Sequence, residues 1–196
     1  MRRLLALLFV LTFPIASRAQ LRDENLLVAV PKGFEKGYEN GNARSSIMEF
    51  VPTGQTVEHW DEMLTVQIVR GNAIGSIPAF RARANALYAS ACEGATSTGI
   101  REGTENGYAF AFWLDDCPLN KKSGTPERAF IKAIAGNDSL YIVQRAYRSA
   151  LTKEQATGAS TYLSGIRVCD TRKPEHPCPA AMMNATPAPA PAPMPQ

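Results

Sequence analysis

The chain has 196 residues, 45% of them hydrophobic and 20% charged, with a formal charge of +3. That balance supports one folded core and excludes a wholly disordered chain. Three of the basic residues, Arg2, Arg3 and Arg18, fall in an N-terminal segment that reads as removable; without them 18 basic residues face 18 acidic ones, so the mature chain is near neutral and is not expected to bind nucleic acid as a polyanion.

Met1 to Arg3 is a positive start, and Leu4 to Phe13 is an apolar run interrupted only by Thr12. Pro14 breaks the run, and Ser17-Arg18-Ala19 places small residues three and one positions before a cut. The pattern predicts a signal peptide over 1–19, cleaved before Gln20. The apolar run is too short for a membrane span, which needs about 20 residues. No Cys follows it, so lipidation there is not indicated, and no later segment predicts a span.

Residues 20–178 are read as a single domain and 179–196 as a disordered tail. The tail holds six of the 14 prolines, and Ala and Pro alternate from Thr186 onward. Such a segment cannot bury a core. Its functional readings are a spacer or a ligand for a Pro-recognising domain; the favoured reading is a solvated tail with no specific partner.

Within the domain, Leu26 to Val30 is a short apolar strand. Phe34 to Glu39 and Ala43 to Val51 form a predicted hairpin about Asn40-Gly41, residues that accept positive φ. Thr56 caps a predicted short helix from Val57 to about Leu64, with Val57, Trp60 and Leu64 inward. Thr65 to Val69 alternates as a strand.

Ser76 and Pro78 open the longest predicted helix, because Ser caps well and Pro near the first turn sacrifices no bonded N–H. Its stripe of Phe80, Ala84, Leu87, Tyr88 and Ala91 is expected to face inward, and Gly94 to stop it. Thr96 to Arg101 and Tyr108 to Leu114 are strands joined by a turn over Gly103 to Gly107. In the second strand Tyr108, Phe110, Phe112 and Leu114 share one face, while Ala109, Ala111 and Trp113 share the other. This predicts two covered faces, with close packing on the alanine side. Glu127 to Ala135 and Ser139 to Arg148 flank Gly136-Asn137-Asp138 as a second hairpin. Thr152 and Gln155 form a capping box for a last helix ending near Gly165, and Ile166 to Cys169 is a closing strand. The predicted fold is α+β: a mainly antiparallel sheet with about three helices packed against it and two disulfides.

The four cysteines, Cys92, Cys117, Cys169 and Cys178, all lie in the exported part. An even number in an oxidising compartment predicts two disulfides, with three possible pairings. Cys92–Cys117 with Cys169–Cys178 is favoured; Cys92 with Cys169 stays open. A zinc site from Cys169, His176 and Cys178 lacks a fourth ligand.

Val30-Pro31-Lys32-Gly33-Phe34, Thr56-Val57-Glu58-His59-Trp60 ahead of the Thr65 strand, and the strand pair from Glu127 to Arg148 occur in a telling order. In that order the chain resembles the PsbP-like/DcrB-like α-β-α sandwich family of exported proteins. The resemblance implies a non-enzymatic binding or accessory module, since the family includes accessory subunits that dock on membrane complexes.

Glu58, His59, Asp61 and Glu62 are the densest cluster of acid, base or metal-binding groups. On a helix Glu58 and Glu62 would share a face with His59 beside them. His59-x-x-Glu62 lacks the second His of metal-binding helices, and the alternative is a solvated helix face. Asp115 and Asp116 read as a turn-initiating pair. Arg145 and Arg148, with Tyr141, Val143 and Tyr147 on the same strand, read either as a ligand-facing strand surface or as a half-exposed strand with Arg stems over apolar area.

The expectation is an exported, soluble binding or accessory protein of the bacterial cell envelope, periplasmic or secreted and not an enzyme. No catalytic, cofactor-binding or metal residue is assigned, and no cofactor. Its partner would be another envelope protein or a small ligand. The alternative is a secreted hydrolase or metal-dependent enzyme using Glu58, His59 and Glu62.

Overall fold

The structure, a computed structural model, describes residues 21–71 and 76–180. The predicted signal peptide, and the tail from 181 onward, lie outside the described residues. Arg22–Pro177 forms one compact unit.

This unit holds eleven strands and two α-helices among the described residues. In chain order these are β1 (Glu24–Leu27), β2 (Phe34–Gly41), β3 (Ser45–Pro52), β4 (Glu62–Arg70), α1 (Ile77–Ala91), β5 (Cys92–Glu93), β6 (Thr96–Glu105), β7 (Tyr108–Cys117), β8 (Leu119–Asn120), β9 (Glu127–Ala135), β10 (Ser139–Tyr147), α2 (Lys153–Gly165) and β11 (Arg167–Asp170). Seven strands make one antiparallel sheet in the order β2-β3-β4-β10-β9-β7-β6. Two small antiparallel pairs, β1-β11 and β5-β8, stand apart from it.

The α+β class and the antiparallel sheet agree with the sequence reading, but there are two helices rather than about three. The predicted helix from Val57 to Leu64 does not form. β4 instead recruits Glu62, Met63 and Leu64 by pairing them with Tyr147, Ala146 and Arg145. The residues before it close on themselves, with Thr56 and His59 exchanging backbone hydrogen bonds at 3.1 Å each. Ladder pairing and a tight local loop outweigh a short amphipathic pattern, which is a weak stabiliser alone.

The Asn40-Gly41 turn also moves. β2 continues through Gly41, and Asn42 makes the turn by accepting from the N–H groups of Arg44 (2.8 Å) and Ser45 (3.0 Å) through its side-chain oxygen. The turn before β7 is shorter than expected, with only Asn106 (φ 47°) and Gly107 (φ 79°) between the strands. Both are left-handed, as a two-residue hairpin connection of this twist requires.

Both helix starts follow the sequence signals. Ser76 Oγ accepts from Ala79 N with Pro in the first turn of α1. Thr152 and Gln155 form the complete capping box of α2.

The helices cover opposite faces of the sheet. On the α2 face, Ala159 and Leu163 pack with Leu64, Val66, Phe112, Phe130, Val143 and Tyr147. On the α1 face, Ile77 and Phe80 pack with Trp113, Ile131, Ile142 and a set of alanines, Ala111, Ala129, Ala133 and Ala146. The expected stripe of α1 is only partly inward: Ile77 is its one buried residue, and Leu87 is 72% exposed. Tyr141, Val143 and Tyr147 are buried, so neither reading of them as an exposed strand surface holds.

Glu24 on β1 ties the outlying β1-β11 pair to the β9–β10 hairpin. Its carboxylate accepts from the N–H groups of Asn137, Asp138 and Ser139 and from the Tyr141 hydroxyl. Gly136 fits there because a Cβ would meet the backbone oxygen of Ser139 at 2.9 Å and displace that carboxylate.

Cys92 and Cys117 are joined in a disulfide. Cys169 and Cys178 are also disulfide-bonded, and none of the four is free. Two disulfides place the folded chain in an oxidising compartment. No helix among the described residues is long and apolar enough to cross a membrane.

Candidate functional site

The α1 face of the sheet does not end where α1 does. Beyond the helix, toward β3, it opens into a groove enclosing about 900 Å³. One wall is the β3–β4 connection, from Gln55 to Asp61; the other is the β8 loop, with Asn120, Lys122, Ser123 and Thr125. Tyr38 of edge strand β2, Glu49 of β3 and Arg148 after β10 complete it.

The first wall is built by local closure. Gln55 brackets Asp61, donating from Nε2 to Oδ2 and accepting from the backbone N–H, both at 2.9 Å. Thr56 Oγ1 accepts from His59 N at 3.2 Å. These bonds turn Trp60 inward, where it is 7% exposed. The Arg148 guanidinium lies 4.1 Å from the Trp60 ring centroid, and its Nη1 donates to Glu58 O at 2.6 Å. A guanidinium over an indole face contributes about 0.5–2 kcal/mol. Arg148 N donates to Asp61 O at 3.0 Å, so one residue fixes the wall at two points.

The second wall depends on the Cys92–Cys117 bridge. Asn120 Oδ1 accepts from Lys122 N (3.0 Å) and Ser123 N (3.4 Å), shaping the loop. Lys121 N donates to Ala91 O at 2.9 Å, and β8 pairs with β5 at the end of α1. The bridge clamps this assembly to the end of β7.

Charge in the groove is mixed, and its floor residue Glu49 feels the charge of Glu127, which lies outside the groove lining. Glu49 is half-buried and makes no ion pair among the described residues. Burial, and then the neighbouring Glu127 charge, push its carboxyl above the usual range. Glu127 is likewise raised by burial, against the opposing pull of Arg148 and of Asn120, whose Nδ2 lies 3.4 Å from its Oε2. Glu58 is held low by its hydrogen bond with Thr56.

The sequence cluster is therefore divided. Glu58, His59 and Asp61 line the groove, but Glu62 begins β4 on the opposite face, ion-paired with Arg145 beneath α2. Without the helix, the spacing that joined Glu58 to Glu62 has no structural meaning. The four residues do not converge, and no group of three or more potential metal ligands exists among the described residues. Asp115 and Asp116 are not a turn pair but the end of β7. Asp115 is buried on the α1 side, and Asp116 pairs with Arg128 at 3.0 Å.

The sequence does not single out Glu49, reads Asp115 only as half of a turn pair, and places Arg148 on the strand with Arg145 rather than at this groove. A parity signal does point to the face they share: on β3, β4, β7, β9 and β10, the residues in step with Trp113 and the alanines include Glu49, Thr65, Gln67, Asp115, Glu127 and Gln144. Six polar residues on a covered face are too many for core packing alone.

No family model matches the chain. No curated protein matches it either. Among solved structures, a point mutant of the protein Mog1 aligns at 16% identity over 70% of this chain and 78% of that one, with a TM-score of 0.41. The Ran-binding protein Mog1p of Saccharomyces cerevisiae aligns at 15% identity over 74% of this chain and 85% of that one, with a TM-score of 0.42. Likenesses this distant carry no argument about the present chain.

Proposed function

We propose that this chain is an exported accessory protein of the bacterial cell envelope, periplasmic or secreted, that binds a segment of another protein in the groove and performs no chemistry of its own. The observation that carries the reading is Glu49: a half-buried carboxyl without an ion-pair partner among the described residues, on the floor of an open groove lined by Trp60, Arg148 and Tyr38. A Lys or Arg from a partner would neutralise it and relieve its repulsion with Glu127. The open, mixed-charge form suits a polypeptide, because sites for small molecules enclose most of their ligand. Two disulfides, the signal-like N-terminus and the resemblance to the PsbP-like/DcrB-like sandwich support the exported, accessory part of the reading.

Photo-crosslinking residues placed at Tyr38, on edge strand β2, and at Ser123, in the β8 loop, test it in envelope preparations. Both positions should capture the same protein, and Glu49→Lys should abolish capture while the melting temperature is retained. Capture unaffected by Glu49→Lys, or no common protein, would overturn the proposal. The alternative, a hydrolase or metal-dependent enzyme, keeps only Glu58 and His59 in one place; loss of a hydrolytic activity in His59→Ala at unchanged stability would favour it.

A further inference from the structure

Between α1 and the sheet lies a second space, a cavity of about 190 Å³. Its roof is α1, with Phe80, Ala84 and Tyr88, and its floor carries Trp113, Asp115 and Glu127. The alanines of this face and the small residues of α1 leave the volume unfilled.

Asp115 is 3% exposed. Trp113 Nε1 donates to its Oδ2 at 3.2 Å, while Oδ1, also buried, has no partner at hydrogen-bond distance among the described residues; the Ser97 side chain is close enough to lower the carboxyl. Such an atom costs about 1–3 kcal/mol if nothing reaches it. Arg81, whose charge pulls the Asp115 carboxyl down, forms no ion pair with it among the described residues: it stands over the Trp113 ring at 5.4 Å and gives its Nη2 to Ser97 Oγ at 3.4 Å. Glu127 adds a second acid, and Tyr88 is held beside it by donating to Glu127 O at 3.0 Å.

We propose that the cavity beneath α1 binds a small organic cation, an amine whose ammonium group meets Asp115 Oδ1 and whose body lies against Trp113 and Phe80. Besides the Tyr88 phenol, the titratable side chains lining the cavity are Asp115 and Glu127, which as carboxylates only accept hydrogen bonds. The rings beside them favour positive charge over their faces. Burial raises both carboxyls, and a bound cation would remove that cost. The volume lies below the roughly 300–1,000 Å³ of drug-sized pockets, so the ligand is small. This site is separate from the groove, and its failure would leave the proposed docking role untouched.

Calorimetric titration of the full chain with phenethylamine, and with phenethyl alcohol as its neutral counterpart, tests the proposal. The amine should bind saturably at one site, and the alcohol at least about tenfold more weakly. Asp115→Asn should weaken the amine to the level of the alcohol. Ala84→Leu, which fills the cavity from its roof, should abolish binding of both while circular dichroism and the melting temperature report an intact fold. Equal affinity for amine and alcohol, undiminished amine binding by Asp115→Asn, or no saturable amine binding by the wild-type chain would each overturn it; should Ala84→Leu not fold, the Asp115→Asn result decides alone.

Discussion

On the α2 face of the sheet, buried charges have partners. Lys132, 1% exposed, donates to Glu105 and to Ile166 O at 2.8 Å and lies 4.9 Å from the Phe110 ring centroid. Arg145 pairs with Glu62 and stacks against Tyr162. On the α1 face, Asp115, Glu49 and Glu127 are pushed toward neutrality by burial and none has an ion-pair partner among the described residues. Packing differs in the same sense. α2 inserts Ala159 and Leu163, both fully buried, into a dense cluster; α1 buries Ile77 alone and leaves a cavity. A face that spends its polar groups on itself is structural, whereas one that leaves them desolvated and unmatched is prepared for something else.

The first way to break this contrast is to remove one partner on the α2 face. Glu105→Ala should cost about 3–5 kcal/mol in denaturant unfolding, because Lys132 would remain buried without its carboxylate. Lys132→Met should cost much less, since it removes the buried charge and Glu105 can turn to solvent. Equal losses would mean that the pair acts through packing rather than charge.

The second concerns how α1 is held. Its C-terminal end depends on the Cys92–Cys117 bridge, which closes a separation of 25 residues. In the chain-entropy model that closure stabilises by about 3.5 kcal/mol, and a bridge closing the shorter Cys169 to Cys178 loop by about 2.6 kcal/mol. Replacing both Cys92 and Cys117 by Ala should therefore cost more than replacing Cys169 and Cys178. Amide exchange should show α1 losing protection ahead of α2. Synchronous loss would place the two helices in one cooperative unit and erase the difference between faces.

Much of this architecture was legible from the sequence. Asn, Gly and Pro mark the turns, Ser76 and Thr152 mark the helix starts, and the alternation of β7 assigns Tyr108 and Trp113 to opposite faces. Failures occurred where tertiary pairing competes with weak local preference. The Val57 to Leu64 pattern is helical only until β10 offers a strand partner, and Leu87 is inward only if α1 rolls closer than its alanines require. The site was less legible. Glu49 and Asp115 lie far apart in sequence, the first reading as an ordinary strand carboxylate and the second as a turn residue; only the sheet order, β3-β4-β10-β9-β7, puts them on one face. Arg148 becomes informative only when the β3–β4 loop delivers Trp60 beneath it.

The third experiment acts on the α1 face and has the opposite sign. Asp115→Asn should stabilise the chain at neutral pH by about 1–3 kcal/mol, the scale of a desolvated group without a partner. Desolvation raises the Asp115 carboxyl above its ordinary value despite Ser97, Trp113 and the Arg81 charge. The folded state then holds its proton more tightly than the unfolded state. Wild-type stability must therefore fall as pH rises from the unfolded carboxyl value through the folded one, and the gain from Asp115→Asn must grow over that window and vanish below it. Asp170 provides the contrast. Hydrogen bonds from Arg172 lower its carboxyl to about 2, so its contribution is full above the unfolded value and disappears as pH falls toward 2. Denaturation of wild type, Asp115→Asn and Asp170→Asn from pH 3 to 8 separates the two. Asp170→Asn should be the less stable variant at neutral pH and approach wild type in acid; Asp115→Asn should be the more stable at neutral pH and approach it from the other side. A destabilised Asp115→Asn at pH 7 would mean that its carboxylate has a partner inside the fold after all, and the two faces of the sheet would then be finished alike.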